Sequence, residues 1–259
     1  MIGRIAALYR HPVKGFTPET LDAVRLQAGA HFPGDRLFAV EDGPSGFDPT
    51  APAHVSKMRF TVLAKIPELA RARTLYDEAT GHLSVTCDGF PPFYGRLTTP
   101  DGRAAFAHWL AEFLEEQAPE DQFGPLQVLP APPGHRFMDS RKGFVSILNL
   151  DSVRELQGRL GRPLDPARFR ANVQVEGWGP WAEYGLDPGR PIRLGGAELR
   201  LLADIDRCMA THVDPARGVR DLDMVGALHG EYGHICCGVY AEVIESGQAA
   251  VGAEAVLGS

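Results

Sequence analysis

The sequence predicts a mainly β protein with short helices, of the α+β class, in which a β-barrel domain follows a smaller β-rich domain. The chain has 259 residues and is 44% hydrophobic, which provides for a buried core and excludes disordered and fibrous proteins. Its 29 glycines and 21 prolines divide it into short segments, as is typical of strands joined by tight turns. Because single domains are most often about 100 to 150 residues long, we predict two domains, at residues 1–120 and 121–259.

Short strands dominate the predicted N-terminal domain. Residues 2–9, 20–27 and 36–42 are apolar runs bounded by Gly, Pro or Asp, which is the usual pattern of strands. Residues 73–87 predict a hairpin that turns at Thr80 and Gly81.

One helix is expected at the end of this domain. Its apolar residues recur at helical spacing, and they are Phe106, Trp109, Leu110, Phe113 and Leu114. Thr99 is the expected N-cap and Pro100 the first helical residue. We expect the apolar stripe to belong to the core.

The second domain begins after a linker. Residues 119–135 are rich in Pro and Gly and are expected to connect the two domains. Residues 144–148 predict a strand, and Ser152 with Glu155 predicts a capping box for a following helix.

Strands return in the last third of the chain. A hairpin is expected to turn at Gly195 and Gly196, and apolar runs continue to the C terminus. Many short strands with few helices are typical of a β-barrel.

Charge and apolar patterning exclude several functional classes. The 26 Lys and Arg residues against 33 Asp and Glu give a net charge of −7, which argues against binding to nucleic acid or to an anionic membrane. We find no signal peptide and no run of about 20 apolar residues, so we expect a cytoplasmic protein. The four cysteines, Cys87, Cys208, Cys236 and Cys237, form no CxxC pair and are expected to be free thiols.

Cys208 is the candidate reactive residue. It follows Arg207 just after an apolar run, and a neighbouring guanidinium favours the thiolate, which is the nucleophilic and metal-binding form. The residue types alone equally allow a buried structural cysteine. Further metal-ligating side chains follow it, namely His212, His229, His234, Cys236 and Cys237. Adjacent cysteines in a strand point to opposite faces, so the spacing disfavours a zinc site.

Four cationic residues lie at predicted strand ends or turns, and they are Lys14, Arg36, Lys142 and Arg170. Taken singly, each fits a solvated surface charge better than a ligand contact. Around one cleft, they would suit a phosphorylated cofactor, because ammonium and guanidinium groups make charge-assisted hydrogen bonds to phosphate. The motifs GxGxxG, GxxxxGK[ST], GxSxG and HExxH are absent, which removes the commonest dinucleotide, nucleotide, hydrolase and metalloprotease interpretations.

Five blocks together resemble the MOSC-domain superfamily, including its N-terminal β-barrel domain. They are HPVKG at 11–15, PGDRLFAVED at 33–42, RFRANVQVEG at 168–177, RCMATHVDPARG at 207–218 and CGVYAEVIESGQAAVG at 237–252. Their order and spacing extend through nearly the whole chain. The nearest type is the two-domain proteins similar to the mitochondrial amidoxime-reducing component, which bind the molybdenum cofactor between their domains.

The resemblance implies a role for each candidate residue. Cys208 would ligate molybdenum, for which a soft thiolate is suited. Lys14, Arg36 and Arg170 match positions that hold the pterin and its phosphate. The other matches are Arg207 and Tyr240 beside the metal and pterin, Lys142 in a loop that touches the phosphate, and Asn172 in the block that reads Phe169-Arg170-Ala171-Asn172 here.

Three departures from the family pattern bear on the site. Gly15 stands where a serine commonly follows the PVK lysine, and this removes a possible hydroxyl contact. Asp206 and His212 replace smaller polar residues around the metal cysteine. Both residue types transfer protons in other enzymes, although an outer or surface position is the simpler expectation.

The function implied is reduction of N-hydroxylated or related N-oxygenated small molecules by oxygen-atom transfer at a molybdenum cofactor. The chain has neither a ferredoxin cysteine pattern nor a flavin fingerprint, so a separate electron donor of the reductase or ferredoxin type is expected. Two alternatives remain open at this point. One is a sulfur carrier with a persulfide on Cys208, and the other is a non-catalytic molybdopterin-binding module.

Overall fold

The computed structural model describes residues 1–121 and 123–258 and is mainly β, with three helices in that part of the chain. The predicted fold class is therefore confirmed. The helices are α1 (Pro100–Gln117), α2 (Leu150–Leu160) and α3 (Met224–Tyr232). None of the helices in the described ranges is long and apolar enough to cross a membrane.

Fifteen strands make up the sheets of the described chain. The first eight are β1 (Ile2–Arg10), β2 (Glu19–Leu21), β3 (Ala23–Leu26), β4 (Phe38–Asp42), β5 (Arg73–Asp77), β6 (His82–Cys87), β7 (Phe90–Arg96) and β8 (Leu126–Pro130). The others are β9 (Val145–Asn149), β10 (Val173–Glu176), β11 (Pro191–Leu194), β12 (Ala197–Asp206), β13 (Cys236–Glu245), β14 (Gly247–Ala250) and β15 (Glu254–Leu257).

Seven of these strands close into a barrel in the order β10-β9-β13-β12-β11-β15-β1, and β1 pairs back to β10. Neighbouring strands are antiparallel except β9 and β10, which are parallel. Side chains alternate along each strand, and a bulge between Ile5 and Ala7 brings Ile5 and Leu8 of β1 to the same inner face. There they meet Val239 and Ala241 of β13 in one apolar core. Closure leaves few free strand edges and gives the site a rigid support.

A second core lies between the β5-β6-β7 sheet and α1. The helix begins as predicted, because the Thr99 side chain accepts the Gly102 N–H and Pro100 follows. All five residues of its predicted apolar stripe are buried. Each such aromatic or leucine side chain contributes about 1.5–3 kcal/mol on burial, so this stripe is a major source of stability in the N-terminal half.

Two local predictions are wrong. Residues 20–27 are not one strand, because the chain breaks at Asp22 and β2 pairs with β1 while β3 pairs with β14. Ser152 is not the N-cap of α2. Asn149 caps the helix by accepting the Asp151 N–H, and Ser152 is buried with its hydroxyl donating to Glu183.

The segment expected to be a linker contains a strand. Within it, β8 pairs along its full length with β4, so this part of the chain is held to the N-terminal half. The N-terminal strand β1 in turn belongs to the barrel formed by the C-terminal half. The two halves therefore exchange segments, and the boundary at residues 120 and 121 stays a prediction.

Candidate functional site

A polar cavity of about 300 Å³ lies where the two halves of the chain meet. It is lined from the first half by Arg36 and Lys57, and from the second half by the end of β12, by β13 and by the turns around residues 138–140 and 168–170. The charged or thiol residues on its wall are Arg36, Lys57, Asp139, Arg168, Arg170, Asp204, Asp206, Arg207 and Cys208. The structure thus brings Cys208 and three of the sequence-predicted arginines to one cavity.

Cys208 follows β12 and stands at the N-terminal end of a 3₁₀ turn, Met209–His212. Thr211 fixes this turn, because its backbone N–H and its hydroxyl both donate to the Cys208 carbonyl, at 2.9 and 2.8 Å. The Lys57 ammonium donates to Cys208 Sγ at 3.1 Å. Burial acts against the charge of Lys57, but Asp139 and then Cys208 hold the pKa of Lys57 above its usual value. The sulfur therefore has a permanent cation as its neighbour.

Arg207 connects the site to the barrel. Its guanidinium donates to the carbonyl oxygens of Cys237 and Phe169, the latter at 2.8 Å, and lies over the Phe169 ring. Burial lowers the pKa of Arg207. Gly238 permits this close packing, since it has a φ of +79° and an added Cβ would lie 2.4 Å from the Ile147 carbonyl oxygen. Arg207 is thus a structural cation whose charge stands beside Cys208.

Arg36 is held by a buried group behind the cavity wall. Asp35 is fully buried, forms an ion pair with Arg36 and accepts the His11 N–H at 2.7 Å. Although burial opposes ionisation, Arg36 and then His11 hold the pKa of Asp35 well below its usual range. The Arg36 backbone adopts a φ of +46°, a left-handed conformation that costs a non-glycine residue about 1–2 kcal/mol.

Arg170 differs from the other arginines of the wall. Its backbone is also left-handed, at φ +52° and ψ +37°. Within residues 1–121 and 123–258 its guanidinium has neither an ion-pair partner nor a hydrogen-bond partner, whereas its neighbour Arg168 is paired with Asp221 at 2.8 Å. Burial, and next the charge of Arg36, lowers the pKa of Arg170 to about 10. The wall therefore carries a strained arginine with unused hydrogen-bond donors.

Lys14 lies behind the lining rather than in it. It is 3% exposed, donates to the Phe137 carbonyl at 2.9 Å and forms an ion pair with Asp139. Burial lowers the pKa of Lys14, as do Arg36 and Lys57, while Asp139 opposes them. The departure at Gly15 has a structural reason, since its φ is +88° and an added Cβ would lie 2.4 Å from the Thr61 carbonyl oxygen. A serine would not fit this backbone.

The remaining predicted residues take different places. Tyr240 of β13 lines the cavity, and burial raises its pKa. Asn172 is fully buried outside the cavity, where its side-chain oxygen accepts the Ser146 hydroxyl at 2.8 Å; Ser146 itself lines the cavity. Lys142 is exposed and is not brought to the wall. The structure therefore gathers five of the eight predicted residues directly at the cavity.

Sequence reasoning missed Lys57 and Asp139. Lys57 begins a three-residue 3₁₀ turn and Asp139 lies in an irregular segment, so no periodicity or motif marks them, and only the fold brings Lys57 to a cysteine 151 positions away. Their pairing matters for the site, because the ammonium groups of Lys14 and Lys57 overcome the effect of burial and hold the pKa of Asp139 well below its usual range. Asp139 therefore stays ionised between two lysines.

Two aspartates, Asp204 and Asp206, also line the cavity. Asp206 accepts the Cys236 thiol at 3.0 Å, and burial, followed by Asp206, raises the pKa of Cys236 to about 12. Cys237 is instead buried on the opposite side of β13, as predicted from the alternation. In the described ranges no three His, Cys, Asp or Glu side chains are grouped as a metal site of that type requires.

Family models match both halves of the chain. The MOSC N-terminal beta barrel domain matches residues 2–120 and the MOSC domain matches residues 134–256. Together these matches extend over most of the chain, which belongs to the MOSC-domain family, and the predicted resemblance is confirmed. MOSC domains are associated with binding of the molybdenum cofactor.

Particular relatives are distant. Mitochondrial amidoxime-reducing component 1 from Mus musculus is 33% identical over 75 residues, which are 29% of this chain and 21% of that protein. The match thus spans about a fifth of the relative's length. Two solved structures are similar. The YuaD protein of Bacillus subtilis has a TM-score of 0.46 at 16% identity, over 98% of this chain and 94% of that one. The YiiM protein of Geobacillus stearothermophilus has a TM-score of 0.33 at 18% identity, over 46% and 56%.

Proposed function

We propose that this protein binds the molybdenum cofactor in the polar cavity and reduces N-hydroxylated or related N-oxygenated small molecules. One observation carries the proposal, namely that Cys208 lines the same cavity as Arg170, whose guanidinium has no hydrogen-bond or ion-pair partner in the described part of the chain. Membership of the MOSC-domain family supports this cofactor class. The name of the mouse relative supports the substrate class.

The residues present fit such a group. A thiolate is a soft donor of the kind that suits molybdenum, and the cofactor's phosphate is an anion that guanidinium groups bind through charge-assisted hydrogen bonds. Arg170 has such donors free in the described structure, and an anion beside it would offset the repulsion from Arg36. The cavity of about 300 Å³ falls at the lower end of the usual range of ligand sites, about 300–1,000 Å³.

Each residue would contribute in its own way. Cys208 would ligate the metal, and Arg36 and Arg170 would bind the phosphate, with Asp35 fixing the orientation of Arg36. Arg207 and Tyr240 would border the pterin. Lys14 would act through Asp139, which it holds at the wall, and Asn172 would act through Ser146. Lys142 is exposed in this structure and would reach the phosphate only through a change in its loop.

When bound, the cofactor supplies two-electron oxygen-atom transfer. The overall reaction breaks the N–O bond and balances as R–NHOH plus two electrons and two protons, giving R–NH₂ and water. A separate protein of the reductase or ferredoxin type would supply the electrons, and solvent would supply the protons. The chain's own residues bind and orient the cofactor, and the rigid barrel holds Cys208 in place.

An activity measurement tests the proposal. The purified, cofactor-loaded protein should reduce an amidoxime to the amidine with dithionite-reduced methyl viologen as the electron source, and Cys208→Ala should abolish the reaction. Cys87→Ala is the matched control, because Cys87 packs in the N-terminal core and does not line the cavity. An undiminished rate in Cys208→Ala, with metal still bound, contradicts the assignment of the ligand.

A second function, sulfur transfer, is favoured by the ammonium of Lys57 at Cys208, because a cation stabilises an anionic persulfide sulfur. Such a carrier would need a separate desulfurase as its sulfur source. Mass spectrometry of the isolated protein distinguishes the two functions, since a carrier shows one added sulfur atom on Cys208. A protein that binds molybdopterin tightly but shows no turnover with any reductant would instead be a binding module.

A further inference from the structure

A second cavity, of about 180 Å³, adjoins the turn at residues 138–140. It shares Met138 and Ser140 with the polar cavity but has different arginines on its wall. We propose that this second cavity binds a phosphate group, either as inorganic phosphate or as the monoester of a small molecule. The site is distinct from the one proposed for the cofactor, and its occupation does not require the cofactor.

The polar side chains of the second cavity are mostly basic. They are His31, His54, His135, Arg136 and Arg141, together with Ser140. Among the described residues no aspartate or glutamate lines this cavity, whereas the polar cavity has three aspartates on its wall. The chain as a whole carries a net charge of −7, so a basic wall without a carboxylate is an exception in this molecule. Such a wall attracts anions.

Arg136 has unused hydrogen-bonding capacity. One of its terminal nitrogens donates to the His135 carbonyl at 2.6 Å, but its buried Nε has no partner within residues 1–121 and 123–258. Burial lowers the pKa of Arg136, and the charges of Asp35 and Glu78 oppose this effect only in part. A buried charged donor without an acceptor is unfavourable. A bound anion would supply the missing acceptor and a compensating charge.

Two of the histidine rings are held in place by groups outside the cavity wall. His31 stacks on Phe144, with ring centroids 4.7 Å apart. His54 donates from Nε2 to the Asp139 carbonyl at 3.2 Å, since a carbonyl oxygen can only accept. The hydrogen-bonding groups of the cavity are therefore positioned before a ligand arrives, which lowers the cost of binding.

The histidines can respond to an anion. Burial, and next the charge of Arg136, lowers the pKa of both His31 and His135. Both rings are thus neutral at pH 7, and each offers a single N–H. A bound dianion would favour the imidazolium form, which offers two. A phosphate group suits these donors better than a carboxylate does, because it has three strong acceptor oxygens and guanidinium groups bind it in a bidentate manner.

The size of the cavity limits the ligand. Drug-sized ligands occupy sites of about 300–1,000 Å³, whereas about 180 Å³ equals the volume of about six water molecules in the liquid. This room suits a phosphate group with a few waters or with a small carbon group. The apolar part of the wall, which includes Val55, Phe60 and Met138, would contact such a carbon group.

Calorimetric titration with inorganic phosphate and with phenyl phosphate tests the proposal. All proteins carry Arg170→Met, so that anion binding in the polar cavity is weakened throughout. Adding Arg136→Met should raise the Kd for phosphate about tenfold, as expected when a hydrogen bond to a charged group is lost. Adding Arg141→Met, at an exposed position where misfolding is not expected, should raise it about threefold. Arg25→Met, at another exposed arginine, is the matched control and should change it less than twofold.

The two ligands identify the source of the phosphate group. Tighter binding of phenyl phosphate supports a monoester whose carbon group contacts the apolar wall, and tighter binding of inorganic phosphate supports the free ion. Absence of binding, or a Kd that neither Arg136→Met nor Arg141→Met changes, overturns the proposal.

A further comparison separates this site from the cofactor site. Phosphate should still bind to wild-type protein loaded with the molybdenum cofactor, and Arg136→Met should leave the pterin content unchanged. If loading abolishes phosphate binding and Arg136→Met lowers the pterin content, the second cavity holds the cofactor's own phosphate and the proposal is wrong. A protein that binds phosphate here but no molybdenum contradicts only the proposed function.

Discussion

Replacing Arg170 by Met should stabilise the cofactor-free protein and at the same time weaken its binding of anions. The substitution keeps most of the side-chain length and removes a guanidinium that lacks a partner in the described structure. Residues that destabilise the cofactor-free protein but contribute to ligand binding are expected at functional sites, where stability and function are in conflict. Most other charged residues of the site have hydrogen-bond or ion-pair partners, so replacing one of them is not expected both to stabilise the protein and to weaken anion binding.

The size of the gain follows from the pKa. Burial, and next the charge of Arg36, lowers the pKa of Arg170 to about 10, well below the usual value of a guanidinium, and each pKa unit corresponds to about 1.4 kcal/mol. The charged guanidinium thus costs the folded state up to about 3 kcal/mol, and we expect about 1–2 kcal/mol because the side chain faces water in the cavity. The penalty is present in full below pH 10, so it is constant at neutral pH, and it is relieved only as the pH rises above 10.

Urea unfolding of the cofactor-free protein at pH 7 measures this gain directly. The free energy of unfolding should rise by about 1–2 kcal/mol in Arg170→Met, and inorganic phosphate should stabilise the wild type more than the variant. Arg25→Met is the control, because Arg25 is an exposed arginine and surface substitutions change stability by about 0.5 kcal/mol or less. A destabilised Arg170→Met, or equal stabilisation of both proteins by phosphate, would refute this account of Arg170.

Three further predictions concern the residues around the site. Gly15→Ser should lower the free energy of unfolding by about 1–3 kcal/mol, because its φ of +88° and the Thr61 carbonyl exclude a side chain; an unchanged melting temperature contradicts this. Arg207→Met should lower that free energy by about 2–4 kcal/mol in urea, since two buried carbonyls lose their donors, and full stability would show that these bonds are weak. Burial and then Arg36 lower the pKa of His11 to about 3, so between pH 6.5 and 3 only the unfolded chain binds the proton and stability falls as the pH falls. His11→Asn should flatten this dependence, and an unaltered slope between pH 7 and 4 would exclude His11 as its source.

Local patterns made much of the fold predictable. The stripe from Phe106 to Leu114 and the Thr99 cap define α1 without tertiary information, because helical spacing and capping are local properties. Gly195 and Gly196 likewise mark the β11–β12 turn. The break at Asp22 was not predictable, since it arises from β2 and β3 pairing with strands far apart in the sequence.

The site was predictable only in part, for the same physical reason. Cys208, Arg36 and Arg170 lie in blocks whose residues resemble a family, whereas Lys57 lies in a short 3₁₀ turn outside those blocks and reaches Cys208 only through the fold. The unpaired state of Arg170 depends on which carboxylates neighbour it in space. Sequence spacing gives no information on that arrangement.

Metal and pterin content test the central claim most directly. The protein and its Cys208→Ala variant would be purified from a host that makes the molybdenum cofactor, and molybdenum and pterin would be measured per chain, with Cys87→Ala as control. We predict stoichiometric pterin in the wild type and molybdenum that is lost from Cys208→Ala alone. Absence of both from the wild type, or molybdenum retained without Cys208, would contradict the claim.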